Sequence, residues 1–136
     1  MTVTVPANIA AELRRLLDNS HAPYSGVHVA AAVEDPAGGV HFGVNVENAA
    51  YPQGVCAEAS AISALVTQGG HSIVRVWVGS NLPGLIWPCG GCRQKIFELA
   101  REGCEVISVA ATGEAESHPI ETLLPLGFKL SPRSES

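Results

Sequence analysis

The sequence has no cluster of lysines and arginines: 8 basic residues stand against 13 acidic ones over 136 positions, for a formal charge of −5. Basic contacts to phosphates dominate nucleic-acid affinity, so a polynucleotide partner is disfavoured and a free small molecule is the expected ligand. No apolar run approaches the ~18 residues of a membrane span, and the opening Met1-Thr2-Val3-Thr4-Val5-Pro6 lacks the basic start and apolar stretch of a secretory signal. A soluble, cytosolic protein without a membrane partner is expected. Internal repeats and low-complexity linkers are also missing, and the length suits one domain over residues 1–136. Without an export signal, the four cysteines read as metal ligands or catalytic groups rather than as two disulfides.

Hydrophobic spacing orders the elements. Ile9, Leu13, Leu16 and Leu17 recur at helical intervals and predict an amphipathic helix from Asn8 to about Asn19. His21 to Gly26 breaks it. Val27 to Val33 and Val40 to Val46 then read as the strands of a hairpin turning at Asp35 to Gly39. A second helix is expected from Cys56 to Gln68, closed by Gly69-Gly70. Ile73 to Val78 predicts a buried strand, Pro88 to Gly91 the entry to a third helix reaching Gly103, and Glu105 to Ala111 another strand. The polar tail Ser131 to Ser136 is expected to fray. This alternation predicts an α/β fold, a three-layer α/β/α sandwich with a mixed central sheet.

The chemistry concentrates in Cys56-Ala57-Glu58 and Pro88-Cys89-Gly90-Gly91-Cys92, each at the predicted start of a helix. Helix N-termini carry partial positive charge, which favours thiolate and thereby a soft divalent metal. Three thiolates leave one tetrahedral position open, as a catalytic zinc site requires, and water there has its pKa lowered toward ~7. Glu58 lies two residues from a ligand, placed to accept the water proton and deliver it to a ring nitrogen and a leaving amine.

These residues resemble the short, homotetrameric branch of the cytidine deaminase family, whose zinc signature is a general one for nucleobase deaminases. The resemblance runs from Tyr24-Ser25 through Asn45-Val46-Glu47-Asn48, Cys56-Ala57-Glu58 and Pro88-Cys89-Gly90-Gly91-Cys92-Arg93-Gln94 to Leu123-Leu124-Pro125 and Phe128. It implies one Zn²⁺ per chain on Cys56, Cys89 and Cys92, with Glu58 as general acid/base and the Ala57 N–H on the pyrimidine. It further implies that Asn45 and Glu47 hold the ribose hydroxyl, and that Tyr51 and Phe128 reach a neighbouring subunit's site. The implied reaction converts cytidine or 2′-deoxycytidine to the uracil nucleoside and ammonia, in pyrimidine salvage.

Other readings compete for the same residues. Cys89-Gly90-Gly91-Cys92 alone also fits a redox dithiol, which would carry no zinc. A purely structural zinc site would need a fourth ligand, Cys104 or a histidine, and a protein built on one unfolds when the metal is stripped. Cys104 reads instead as an inert core thiol, and His21, His28, His41, His71 and His118 fall in no ligand motif. Glu58 could serve only as a first-turn carboxylate, Asn45 and Glu47 as strand-end polar residues, Tyr51 as an interface residue and Phe128 as a C-terminal anchor.

The chain also departs from the family pattern. Val27 stands where a phenylalanine commonly lines the nucleoside pocket, which widens it and keeps open a modified cytosine nucleoside of the blasticidin type. Ala59 stands where many short members carry an arginine that offsets the zinc-thiolate charge, and Arg93 is the candidate to replace it. Lys129-Leu130-Ser131-Pro132 replaces the usual glycine-proline continuation. Losing a cation beside a net-negative centre raises the pKa of bound water. The acidic limb of the pH–rate profile is therefore expected at higher pH than in arginine-bearing relatives, and a limb at equal or lower pH contradicts this.

Overall fold

In the computed structural model, which describes residues 1–133, the hairpin forms the edge on which the rest is assembled. β1 (Val29–Glu34) and β2 (Val40–Val44) run antiparallel, Ala30 opposite Val44 and Glu34 opposite Val40. Asp35 shapes the turn: its Oδ1 accepts the Ala37 and Gly39 N–H groups at 2.9 and 3.0 Å. Gly38, at φ +92°, takes the left-handed position that other residues avoid.

β1 pairs antiparallel with β3 (Ile73–Ser80), β3 parallel with β4 (Ala100–Val109), and β4 antiparallel with β5 (Ala115–Pro119), giving the order β2-β1-β3-β4-β5. A parallel neighbour requires a crossover, supplied here by α3 (Gly90–Leu99). α1 (Ala7–Leu17) covers one face, packing Ile9 and Leu13 on Ala30, Ala32, Trp77 and Ile107. α2 (Ala57–Thr67), α3 and the one-turn α4 (Ile120–Leu123) cover the other, burying Ala61, Leu65, Ile96 and Ile120 against Ala31, Val33, Val76 and Val106. With both faces covered, Ala30 to Val33 are all buried and the apolar strands need no polar alternation. The expected three layers and mixed sheet are present.

Several boundaries differ from those the sequence suggests. β1 starts at Val29 because residues before it belong to a turn, in which Ser25 Oγ accepts the Val27 N–H and Ala22 O accepts the Gly26 N–H. β2 stops at Val44 because at Asn45 only half of the backbone pairing remains, its N–H donating to Val29 O at 3.2 Å while its side-chain Oδ1 accepts the Val29 N–H at 2.8 Å. α1 ends at Leu17 and α3 at Leu99, not Gly103, and β4 follows α3 without a loop; Gly103, at φ +79°, kinks that strand instead of capping the helix. β5 and α4 are absent from the sequence reading. β5 presents Ala115 and Ser117 inward and Glu116 and His118 partly outward, an edge strand too polar for its apolar residues to reveal. Residues 131–133 are exposed and outside any element, while the rest of the predicted frayed tail, Ser134 to Ser136, lies outside the described residues. Among the described residues no helix is long and apolar enough to cross a membrane.

Gly43 sets how closely α2 approaches the sheet. A Cβ there would stand 2.3 Å from the Ala61 nitrogen and 2.7 Å from the Ala57 oxygen, both backbone atoms that cannot swing aside. Overpacking a tight contact costs about 1–3 kcal/mol. Gly43→Ala is therefore expected to lower the denaturant midpoint by an equivalent amount and, by shifting the start of α2, to reduce bound zinc; a variant matching wild type in both contradicts this close approach.

Candidate active site

Two chain segments deliver the cysteines to one place. Cys56 precedes α2 in extended conformation (φ −75°, ψ 156°), and Cys89 precedes α3 likewise (φ −66°, ψ 168°). Cys92 lies in the first turn of α3 and is buried. The three sulfurs fall within 4.8 Å of one another, Cys56 and Cys89 at 4.0 Å. Tetrahedral Zn–S bonds of about 2.3 Å separate neighbouring sulfurs by about 3.8 Å. The donors therefore fit one zinc ion in both type and spacing. Neither Cys104 nor a histidine joins the cluster among the described residues.

The electrostatics of the three thiols differ. The Cys92 backbone N–H holds Cys89 below the usual thiol range, outweighing partial burial. Cys56, although exposed as a residue, is raised by desolvation first and then by the neighbouring Cys89 and Glu58 charges. Cys92 is pushed far up by burial and by Glu58, Cys56 and Cys89. The helix-terminus argument thus holds for Cys89 alone; at the other two, burial and mutual repulsion win. Three thiolates beside a carboxylate need a cation to coexist, which a divalent metal supplies as their protons leave.

Glu58, in the first turn of α2, is only 5% exposed. Burial raises its pKa, against the opposing pull of its own backbone N–H and of Lys95. The upward direction is the one that suits a carboxyl to general acid/base work.

A cleft of about 390 Å³ opens in front of these groups, bordered by Cys56, Ala57, Glu58 and Cys89 and, on the β2 side, by Asn45, Glu47 and Tyr51. An adjoining hollow of about 320 Å³ shares Glu47 and Tyr51 with it. The larger hollow of about 720 Å³ lies beside the start of α1, on the opposite face, and touches none of the cysteines.

Asn45 and Glu47 are locked in place. The Asn45 amide donates to the Val27 carbonyl and accepts from the Val29 N–H, each at 2.8 Å. Glu47 accepts the Tyr24 and Ser25 N–H groups at 3.0 and 3.2 Å and the Ser25 hydroxyl on its other oxygen. The Ser25 hydroxyl leads in holding Glu47 below the ordinary carboxylate range, so it is an acceptor at neutral pH.

Other predicted site residues lie outside this cleft within one chain. Val27 does not border it within one chain. Phe128 is 66% exposed and does not border the cleft either; only its carbonyl is engaged, by Gln94 at 3.0 Å. Arg93 donates from Nε to Pro88 O at 2.7 Å and from Nη1 to Leu123 O at 3.0 Å, bracing the residue before Cys89 against α4. The sequence reading missed Ile86 and Trp87, which wall the cleft. Their position just before Pro88-Cys89 was the available signal.

Residues 8–108 match the family described as the cytidine and deoxycytidylate deaminase zinc-binding region, and the chain belongs to that family. The chain is 32% identical over 120 residues to a cytidine deaminase of Sporosarcina psychrophila, covering 88% of each. It is also 32% identical over 124 residues to one of Mycoplasma genitalium, covering 90% of this chain and 95% of the relative. The crystal structure of a cytidine deaminase from Burkholderia pseudomallei superposes with a TM-score of 0.83 at 31% identity, over 91% of this chain and all of that one.

Cys104 offers an internal contrast. It is buried against Ile96 and Val106, and burial pushes its thiol up to about 12. In metal-free native protein at pH 8, a thiol reagent is expected to modify Cys56 and Cys89 while Cys104 stays protected until the protein unfolds, and added zinc should protect the first two. Rapid native labelling of Cys104 would contradict its placement.

Proposed function

We propose that this chain is a cytidine or 2′-deoxycytidine aminohydrolase acting on the free nucleoside. The observation that carries the proposal is the meeting of three sulfurs, with no fourth side-chain donor among the described residues, beside a buried carboxyl whose pKa is raised. Cys56, Cys89 and Cys92 would hold one zinc ion, which when bound would make a water acidic enough to lose a proton near neutrality.

The chain's own residues divide the remaining work. Glu58 takes up the two protons of the attacking water in turn and passes one to N3 of the ring and the other to the departing amine. At C4 a C–O bond forms and the C–N bond breaks, giving the uracil nucleoside and ammonia. The Ala57 N–H contacts the pyrimidine. Asn45 and Glu47, fixed by their hydrogen bonds to the 24–29 segment, present an acceptor-rich edge to a sugar hydroxyl. Arg93 braces Pro88 and thereby the Cys89 end of the cleft.

The assembly we propose is a single domain over residues 1–136 that forms a homotetramer, in which Tyr51 and Phe128 contact a neighbouring chain's cleft. Their exposure, 79% and 66%, supports this, since large aromatic rings gain most by being covered. Pyrimidine salvage in the cytoplasm is the corresponding role.

Glu58→Gln is expected to keep zinc at one ion per chain and to preserve the fold, while ammonia release from cytidine falls by about 10²–10⁴. Zinc analysis, circular dichroism and single-turnover kinetics measure these quantities. Turnover near the wild-type rate would refute the assignment of Glu58.

A further inference from the structure

On the α3 side the cleft is walled by Ile86 and Trp87, which have no part in holding metal, proton or sugar. The segment carrying them is pinned on both sides of the indole. The Ile86 N–H donates to Ser108 Oγ at 2.9 Å, on a serine fully buried in β4. Pro88 is fully buried, and its carbonyl accepts Arg93 Nε at 2.7 Å. Behind the indole stands the His118 imidazole, ring centroids 5.0 Å apart and planes at 58°. His118 Nε2 in turn lies 2.7 Å from Glu116 Oε1. Backbone anchors and a ring brace leave the indole little freedom to move away from a ligand.

The location of this wall selects which part of a pyrimidine it meets. Trp87 borders the cleft on the segment that leads into Cys89, two residues further on, whereas Asn45 and Glu47 border it from the segment that follows β2. In the reaction proposed above, C4 lies beside the cysteines with N3 turned to Glu58, on α2. C5, the other neighbour of C4, then turns to the opposite wall, the segment entering α3.

We propose that Trp87 is a specificity-determining residue that closes the cleft against substituents at C5, so that bare cytosine nucleosides are accepted and 5-substituted ones are disfavoured. The inference rests on the deaminase reading. The constriction comes from the segment entering α3, whereas Val27 does not border the cleft within one chain.

The test compares kcat/KM for cytidine and 5-methylcytidine in zinc-loaded wild type, Trp87→Ser and Trp87→Phe. One added methyl against a filled wall is worth about 10–200-fold. Wild type should therefore prefer cytidine by at least about tenfold, Trp87→Ser should erase most of that preference, and Trp87→Phe should lie between them. Should Trp87→Ser fail to fold, Trp87→Phe retains an aromatic brace and decides the matter. A second readout needs no turnover. Only two tryptophans are present, so in a Trp77→Phe background the emission reports Trp87 alone. Titration with uridine should shift that emission; unchanged emission where calorimetry shows uridine bound overturns the proposal. If wild type releases ammonia from neither nucleoside, the deaminase reading itself falls. If both are turned over at a ratio that neither variant alters by more than about twofold, the specificity assignment alone falls.

Discussion

Three sulfurs and a carboxyl crowded into one corner of the fold repel one another once ionised, and that repulsion organises the site. Burial pushes Cys56, Cys92 and Glu58 toward their protonated forms, and only Cys89, under the Cys92 N–H, is biased the other way. A dication resolves the conflict for the thiols. The burial that penalises the thiolates also raises the pKa of Glu58 beside them. Binding of a metal by these thiols is therefore coupled to release of their protons.

Everything that brings these groups together is a matter of helix placement. Cys56 and Cys89 sit at the starts of α2 and α3, which pack on the same sheet face. α2 reaches its position because Gly43 has no side chain, and α3 because the parallel β3–β4 pair demands a crossover there. On the far side, the Asn45 amide stands in for a strand partner, so one side chain both ends β2 and edges the cleft.

The sequence revealed most where local patterns had one physical meaning. Helix starts at Cys56 and Cys89, the hairpin around Asp35 to Gly39 and the buried run at Ile73 were legible from spacing and turn chemistry. β5 and α4 were not, because Ala115 to Leu123 mixes polar and apolar residues and owes its structure to β4 and the core beneath. Gly103 read as a helix stop although it kinks a strand, since glycine at positive φ serves either purpose. Of the site, the ligands and Glu58 were visible as motifs. Trp87 could be suspected only from its place before Pro88-Cys89, because nothing local tells that its ring meets His118, 31 positions further along the chain. Val27 and Phe128 mark the opposite limit, since neither borders the cleft within one chain.

The distance along the chain between Cys56 and Cys89 also links the metal site to chain entropy. Their sulfurs are brought to 4.0 Å across a separation of 33 residues that includes all of α2 and β3. Closing so long a loop carries an entropic penalty that grows with its length, and an ion attached to both ends removes that freedom from the unfolded chain. An ion shared by the three cysteines would tie the start of α2 to the start of α3 across β3, so coordination and the packing of both helices on one sheet face restrain the same two points of the chain.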